Sequence, residues 1–103
     1  SGAIQSCQDK GAKFVAFAGN KNGEADCVIA SAYADLTKLY PWAVNALLVE
    51  GVRGYTEAGL TEGIITIVMT DQVSDECKAA VEQASKDIMD GTIKCEDNFV
   101  VNK

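Results

Sequence analysis

Apolar residues along this chain form short continuous runs and helical stripes, and both are clearest between Glu62 and Gly91. The run Ile64–Met69 is rich in β-branched residues and short enough for a buried strand. After a polar break at 70–72, apolar side chains recur every three or four residues, which predicts an amphipathic helix. The stripe consists of Cys77, Ala80, Val81, Ala84 and Ile88. Ser74 is suited to cap the start of this helix and Gly91 to end it, so the stretch predicts half of a βαβ unit.

The rest of the pattern predicts two further helices and two further strands. Residues 3–10 predict a short helix stopped by Gly11, and apolar runs at 14–18 and 27–33 predict strands. A long helix is expected from an Asp35 cap to about residue 52, apolar on two faces and therefore sandwiched between other elements. Pro41 either kinks that helix or marks its true start. Residues 92–95 are candidates for a last edge strand.

The predicted order α-β-β-α-β-α, with an optional final strand, is typical of an α/β protein with a layered parallel sheet flanked by helices. Such sheets bind ligands at the carboxyl ends of their strands. The polar residues at these ends are Gly19–Asn22, Ser31–Tyr33 and Thr70–Gln72. With 103 residues and no linker or repeat, residues 1–103 are expected to form one α/β segment.

Charge and composition exclude several function classes. The formal net charge of −6 offers no basic face for nucleic acid, so no nucleic-acid partner is expected. The chain contains no histidine, which excludes the Ser-His-Asp and Cys-His nucleophile systems and every metal site with a histidine ligand. No catalytic residue, metal ligand or cofactor is therefore predicted, and the chain is not expected to be an enzyme. No apolar run is long enough to span a membrane.

The cysteines leave two alternatives open. None of Cys7, Cys27, Cys77 and Cys95 forms a C-x-x-C pair, which disfavours a zinc or thioredoxin-like motif. Cys77 on the helix stripe can be a small core residue. Alternatively, the four form two disulfides in a secreted protein, with three possible connectivities. No signal peptide is present, and the chain begins at Ser1, so we expect a mature product or a piece of a longer protein.

Two motifs carry a resemblance to a known family. They are V-I-x-S-A before the long helix, and V-S-D-E-x-K-x-x-V-E in a helix ending I-x-D-G-x-I-K. Over about 90 residues the chain resembles the C-terminal third of the basic membrane protein family, the extracytoplasmic substrate-binding lipoproteins of ABC importers. Many members bind purine nucleosides. The resemblance implies part of a lobe of a two-lobed periplasmic binding protein of type I, and hence a fragment located in the periplasm, on a lipoprotein or in a secreted protein.

The resemblance also suggests ligand-binding positions. The family's acidic stretch after the first strand, whose first Asp binds ribose hydroxyls, corresponds here to 19–22, so Asn20 or Asn22 is the nearest equivalent. The family's G-L-K-E-G, whose Lys reaches the sugar, appears as 59–63 with Thr61 in place of that Lys. With Tyr33 at a strand end, the predicted ligand-binding residues are Asn20, Asn22, Tyr33 and Thr61.

The expected partners are a small-molecule ligand such as a nucleoside, and either the remainder of the same protein or a partner chain. The alternative is a secreted structural or assembly protein that reuses this fold without transport, which the four cysteines favour.

Overall fold

A computed structural model describes residues 1–94 of the chain, and its elements follow the predicted order. They are α1 (Gly2–Lys10), β1 (Phe14–Phe17), β2 (Val28–Ala34), α2 (Leu36–Leu48), β3 (Ile65–Met69) and α3 (Asp75–Asp90). Of the predicted last strand, residues 92–94 are not in a strand and Cys95 lies outside the described residues. The mixed α/β class is therefore confirmed.

The predicted helix ends are present as hydrogen-bonded caps. Ser74 Oγ accepts a hydrogen bond from the Cys77 N–H at 3.2 Å, and the Asp35 carboxylate accepts one from the Thr37 N–H at 3.0 Å. Gly11 and Gly91 end α1 and α3 in the left-handed conformation that glycine adopts most readily. Pro41 lies inside α2, so it does not mark the start of that helix.

The three strands form one sheet in the order β1-β2-β3 with mixed directions. β1 and β2 are parallel, as expected, but β2 and β3 are antiparallel, so the prediction of a parallel sheet holds for only one of the two pairs. The reason is the path between β2 and β3. The Asp35 N–H, at the start of α2, donates to the Ile64 carbonyl at 2.7 Å. After α2 and residues 49–63 the chain therefore returns to the end of β2 that it left, and β3 runs back along β2.

The register defines two faces of the sheet. Side chains alternate along a strand, so those of Ala16, Ser31 and Tyr33 share one side, here called the loop face. On this face Ile4 of α1 packs with Ala16, Cys27 and Val28 in a small buried cluster. The opposite side, here called the α3 face, carries mainly aliphatic and aromatic side chains: Val15, Phe17, Ala30, Ala32, Ile67 and Met69.

Helix α2 packs through only one of its two apolar faces. Ala46 is buried and Trp42 half-buried, and both lie beside Val52 in the segment that follows the helix. The other stripe, of Leu36, Tyr40, Val44 and Leu47, is half or more exposed. The expectation that α2 is sandwiched is therefore not met among residues 1–94. No helix in that part of the chain is long and apolar enough to cross a membrane.

Candidate functional site

The loop from Ala18 to Gly23 follows the carboxyl end of β1. Parallel sheets bind ligands at this end of their strands. Ala18 has a φ of 65°, a left-handed conformation that costs a residue with a Cβ roughly 1–2 kcal/mol. Backbone strain of this kind persists only where the surroundings fix the conformation. The hydrogen bonds that follow this residue provide that constraint.

Asn22 and Ser31 hold the loop against the loop face. Ser31, fully buried in β2, donates from Oγ to Asn22 Oδ1 at 2.6 Å and accepts from the Lys21 N–H at 3.0 Å. The Asn22 amide nitrogen donates to the Val68 carbonyl in β3 at 3.1 Å. Both polar atoms of the Asn22 side chain thus bind protein, and they tie the loop to β2 and β3. The Asn22 side chain therefore holds the loop in place, and its contact with a ligand stays a prediction.

Asn20 is placed at the surface of the same loop. Its Oδ1 accepts a hydrogen bond from the Asn22 N–H at 3.1 Å, which leaves its amide N–H groups without a partner among residues 1–94. Lys21 is ion-paired with Glu24 at 2.8 Å, and this ammonium group holds the pKa of the Glu24 carboxyl below its ordinary value. Asn20 therefore offers amide hydrogen-bond donors, and the positive charge of the neighbouring Lys21 is balanced by Glu24.

Tyr33 shares the loop face with Ser31 because it lies two residues further along β2. It is half-buried opposite Thr66 of β3, and its hydroxyl has no hydrogen-bond partner in the described part of the chain. The 18–23 loop, which carries Asn20 and Asn22, and the side chain of Tyr33 thus lie on the same face of the sheet.

Thr61 lies elsewhere. It is exposed in the turn before β3, where the Gly59 N–H donates to the Glu62 carboxylate at 2.6 Å. It lines a shallow hollow of about 370 Å³ with Ile88 of α3, and neither Tyr33 nor the 18–23 loop contributes to that hollow. The structure does not bring Thr61 together with the other three predicted residues.

Two polar features escaped the sequence analysis. The first is Ser31 as a partner of Asn22, which a polar residue inside the apolar run VIASAYA could have signalled. The second is the set of hydrogen bonds made by Gln72, which accepts from Lys13 Nζ at 2.7 Å and donates to the Asp26 carbonyl at 2.6 Å. Residues 70–72 were expected beside the carboxyl ends of β1 and β2, but they lie at the opposite end of the sheet because β3 is antiparallel. These hydrogen bonds border a pocket of about 360 Å³ at the other end of the strands, before β1 and β2 begin. They join residues far apart in the sequence, so no local pattern could have indicated them.

A larger groove separates the α3 face from the first turns of α3. It measures about 570 Å³, and apolar side chains dominate its wall. Ile67 and Met69 of β3 face Cys77 and Val81 of α3 across it. Such a wall offers few hydrogen-bonding groups, so it does not suit a polar ligand.

The cysteines of the described chain are free thiols. Cys27 is buried and donates weakly to the Ile4 carbonyl at 3.5 Å, Cys7 packs partly buried against the same cluster, and Cys77 is exposed on α3. None of these three is close enough to another to form a disulfide, and Cys95 lies outside the described residues. Among residues 1–94, no group of three or more acidic or cysteine side chains is placed to hold a metal ion.

Comparisons with known proteins found no match: no family model, no curated protein and no solved structure is significantly similar to this chain.

Proposed function

We propose that this chain supplies part of one lobe of an extracytoplasmic solute-binding protein, resembling the receptors of ABC importers. The observation that carries the proposal is the loop that leaves the carboxyl end of β1, in the parallel β1–β2 pair, and is fixed by hydrogen bonds to β2 and β3. Open sheets with parallel strands bind small molecules at this edge.

The hydrogen bonds of the loop support a binding role in preference to a simple connection. A surface connection needs no buried partner, yet Asn22 engages the buried hydroxyl of Ser31 and the backbone of β3. The outcome is a rigid loop that presents Asn20 without further ordering. Binding to such a preorganised group costs less conformational entropy than binding to a mobile one.

The available groups suit a neutral, hydroxylated solute. Asn20 offers amide donors, and the Tyr33 hydroxyl can donate or accept beside an aromatic face. A nucleoside combines hydroxyl groups with a flat base that can stack on an aromatic ring, which agrees with the family resemblance. In this proposal Asn20 and Tyr33 contact the solute and Asn22 positions the loop, whereas Thr61 lies apart from this site.

Calorimetric titration of the full-length protein that contains this chain with adenosine, guanosine and inosine tests the proposal. Asn20→Ala and Tyr33→Phe should each weaken binding about threefold to tenfold, the effect of losing one hydrogen bond. Asn45→Ala is the matched control, because Asn45 is an exposed amide on α2, away from the loop. Unchanged affinity in both site variants would reject the site.

The second candidate is a secreted structural or assembly protein, favoured by the exposed apolar stripe on α2 (Leu36, Tyr40, Val44 and Leu47). Such a stripe costs solubility unless another surface covers it. In this reading the remainder of the same protein, or a partner chain, packs on α2. Absence of saturable binding of all three nucleosides to the full-length protein would favour this candidate over the solute-binding one.

A further inference from the structure

Cys7 and Cys27 lie in one small cluster on the loop face. Cys27 is buried in the cluster that Ile4 of α1 forms with β1 and β2, and Cys7 packs partly buried against the same cluster from the next turn of α1. Cys27 is also hydrogen-bonded to α1 before and after Cys7. Its Sγ donates weakly to the Ile4 carbonyl at 3.5 Å, and its N–H donates to Gln8 Oε1 at 3.1 Å. The two thiols therefore belong to a single contact between α1 and the start of β2.

A rotation of the Cys7 side chain brings its sulfur toward Cys27. Both residues are free thiols in the described conformation, and their sulfur atoms are not at bonding distance. Cys7 lies three residues after Ile4, and a short side chain at this spacing can turn to the carbonyl of the preceding turn, as serine and threonine do in helices. The Ile4 carbonyl already contacts Cys27 Sγ, so both sulfur atoms can approach each other at this one oxygen without unfolding of α1.

The third described cysteine is on the other side of the sheet. Cys77 lies in the first turn of α3 and lines the groove of the α3 face, whereas Cys7 and Cys27 lie on the loop face. The sheet therefore separates Cys77 from both of them, and a bond across it would require α1 or α3 to leave its position. Among the three described cysteines, Cys7 and Cys27 are the pair that a disulfide can join with the fold intact.

We propose that Cys7 and Cys27 are a redox-active pair, and that an oxidant of the disulfide class, such as glutathione disulfide, converts them reversibly to a disulfide. Cys7 is the more accessible thiol, so it loses its proton and attacks the oxidant, which forms a mixed disulfide and releases one glutathione thiolate. The Cys27 thiol then loses its proton, attacks the Cys7 sulfur and expels the second thiolate. The two protons pass to the two thiolates, so the protein is oxidised by two electrons and two molecules of glutathione are formed.

The bond connects α1 covalently to the start of β2. Such a link limits the separation of the two segments when the chain opens, and it stabilises the fold mainly through this restriction. The effect belongs to the main buried cluster of the described chain, to which α1 contributes Ile4. It does not depend on the proposed solute site, because Cys27 precedes β2 and Tyr33 lies near the end of that strand.

Peptide mapping by mass spectrometry tests the proposal on the full-length protein that contains this chain. The reduced, native protein is incubated with glutathione disulfide, excess thiol is blocked, and the protein is digested without reductant. A peptide that links Cys7 to Cys27 should form and should separate on reduction. Absence of this linked peptide, or pairing of Cys7 with Cys77 or Cys95, overturns the proposal.

Variants test the order of the two steps. Cys27→Ser should keep one glutathione on Cys7, because the thiol that completes the second step is missing, whereas Cys7→Ser should leave buried Cys27 unmodified in the native protein. Cys77→Ser is the matched control, because this exposed thiol is on the α3 face and its loss should not affect the bond. Oxidation should slow amide exchange in α1 at least about tenfold in wild type and in Cys77→Ser, with no change in Cys7→Ser. A Cys7→Ser protein with the same slowing would show that another modification causes it, which overturns the stabilising role of the bond.

Discussion

At the scale of single residues, the Asn22 side chain links parts of the structure that are far apart in the sequence. Its amide oxygen accepts from Ser31 and its amide nitrogen donates to the Val68 carbonyl, so one side chain joins the β1–β2 loop to two strands. Removing it leaves the buried Ser31 hydroxyl hydrogen without its acceptor. A buried polar group without its partner costs the desolvation of that group, which is larger than the net value of an average hydrogen bond.

Asn22→Ala should therefore lower the free energy of unfolding by about 1–3 kcal/mol. Equilibrium unfolding in urea measures the change. Asn20→Ala is the control, because Asn20 makes only an exposed bond to the Asn22 N–H and should change stability by no more than about 0.5 kcal/mol. Equal effects of the two substitutions would mean that the buried contacts of Asn22 contribute nothing to stability.

At the scale of elements, the capped ends of helices were predictable because their signals are local, whereas α2 ends at Leu48 and not near residue 52, where no such signal marks its end. Ser74, Gly11 and Gly91 act through neighbours within one turn, and periodicity of the apolar residues reports the type of element directly. Strand direction was not predictable in the same way. The order β2-α2-β3 is compatible with either sense, and the choice depends on where residues 49–63 carry the chain after α2. The contact between Asp35 and Ile64 that fixes this path is formed between distant residues.

The same distinction between local signals and contacts of distant residues explains which parts of the candidate site were predictable. Strand-end positions indicated Asn20, Asn22 and Tyr33, and the structure places the loop that carries both asparagines on the same face of the sheet as Tyr33. It could not be known from the sequence that both side-chain atoms of Asn22 bind protein, since its partners Ser31 and Val68 lie on different strands. Thr61 was chosen by resemblance alone, and the turn that holds it faces α3.

The cap of α2 leads to a prediction about pH. The Thr37 hydroxyl and then its N–H donate to the Asp35 carboxylate and hold its pKa below the ordinary value. A carboxyl whose pKa is lower in the folded chain stabilises the fold above its unfolded pKa of about 3.9, and this contribution is lost as the pH falls through the folded pKa. The protection of amides in the first turn of α2, which is their exchange rate relative to that of an unstructured peptide at the same pH, should decrease as the pH drops below about 3.9.

Asp35→Asn is the matched variant for this measurement. Asparagine caps helices about as well as aspartate but does not titrate, so protection of the first turn should no longer depend on pH in this range. If wild type and variant show the same pH dependence, another group causes it and the Asp35 cap does not.

At the scale of the whole molecule, the described chain buries few large side chains and leaves many apolar ones exposed. Its main cluster consists of Ile4, Ala16, Cys27 and Val28, whereas Phe17 and the outer stripe of α2 are accessible. Hydrophobic burial is the main favourable term in folding, so a small core implies modest stability. A partner chain that covers these surfaces should therefore also stabilise the fold by mass action.

The reactivity of the cysteines tests this packing, because the three described thiols are free and differ in exposure. Maleimide labelling of the native chain without reductant should modify exposed Cys77 first, partly buried Cys7 more slowly, and buried Cys27 only when the chain unfolds. Peptide mapping by mass spectrometry identifies each site. Labelling in denaturant without reductant is the control, and it should modify all three. Any of them that reacts only after reduction must be in a disulfide, which would restore the disulfide hypothesis and favour the secreted assembly protein.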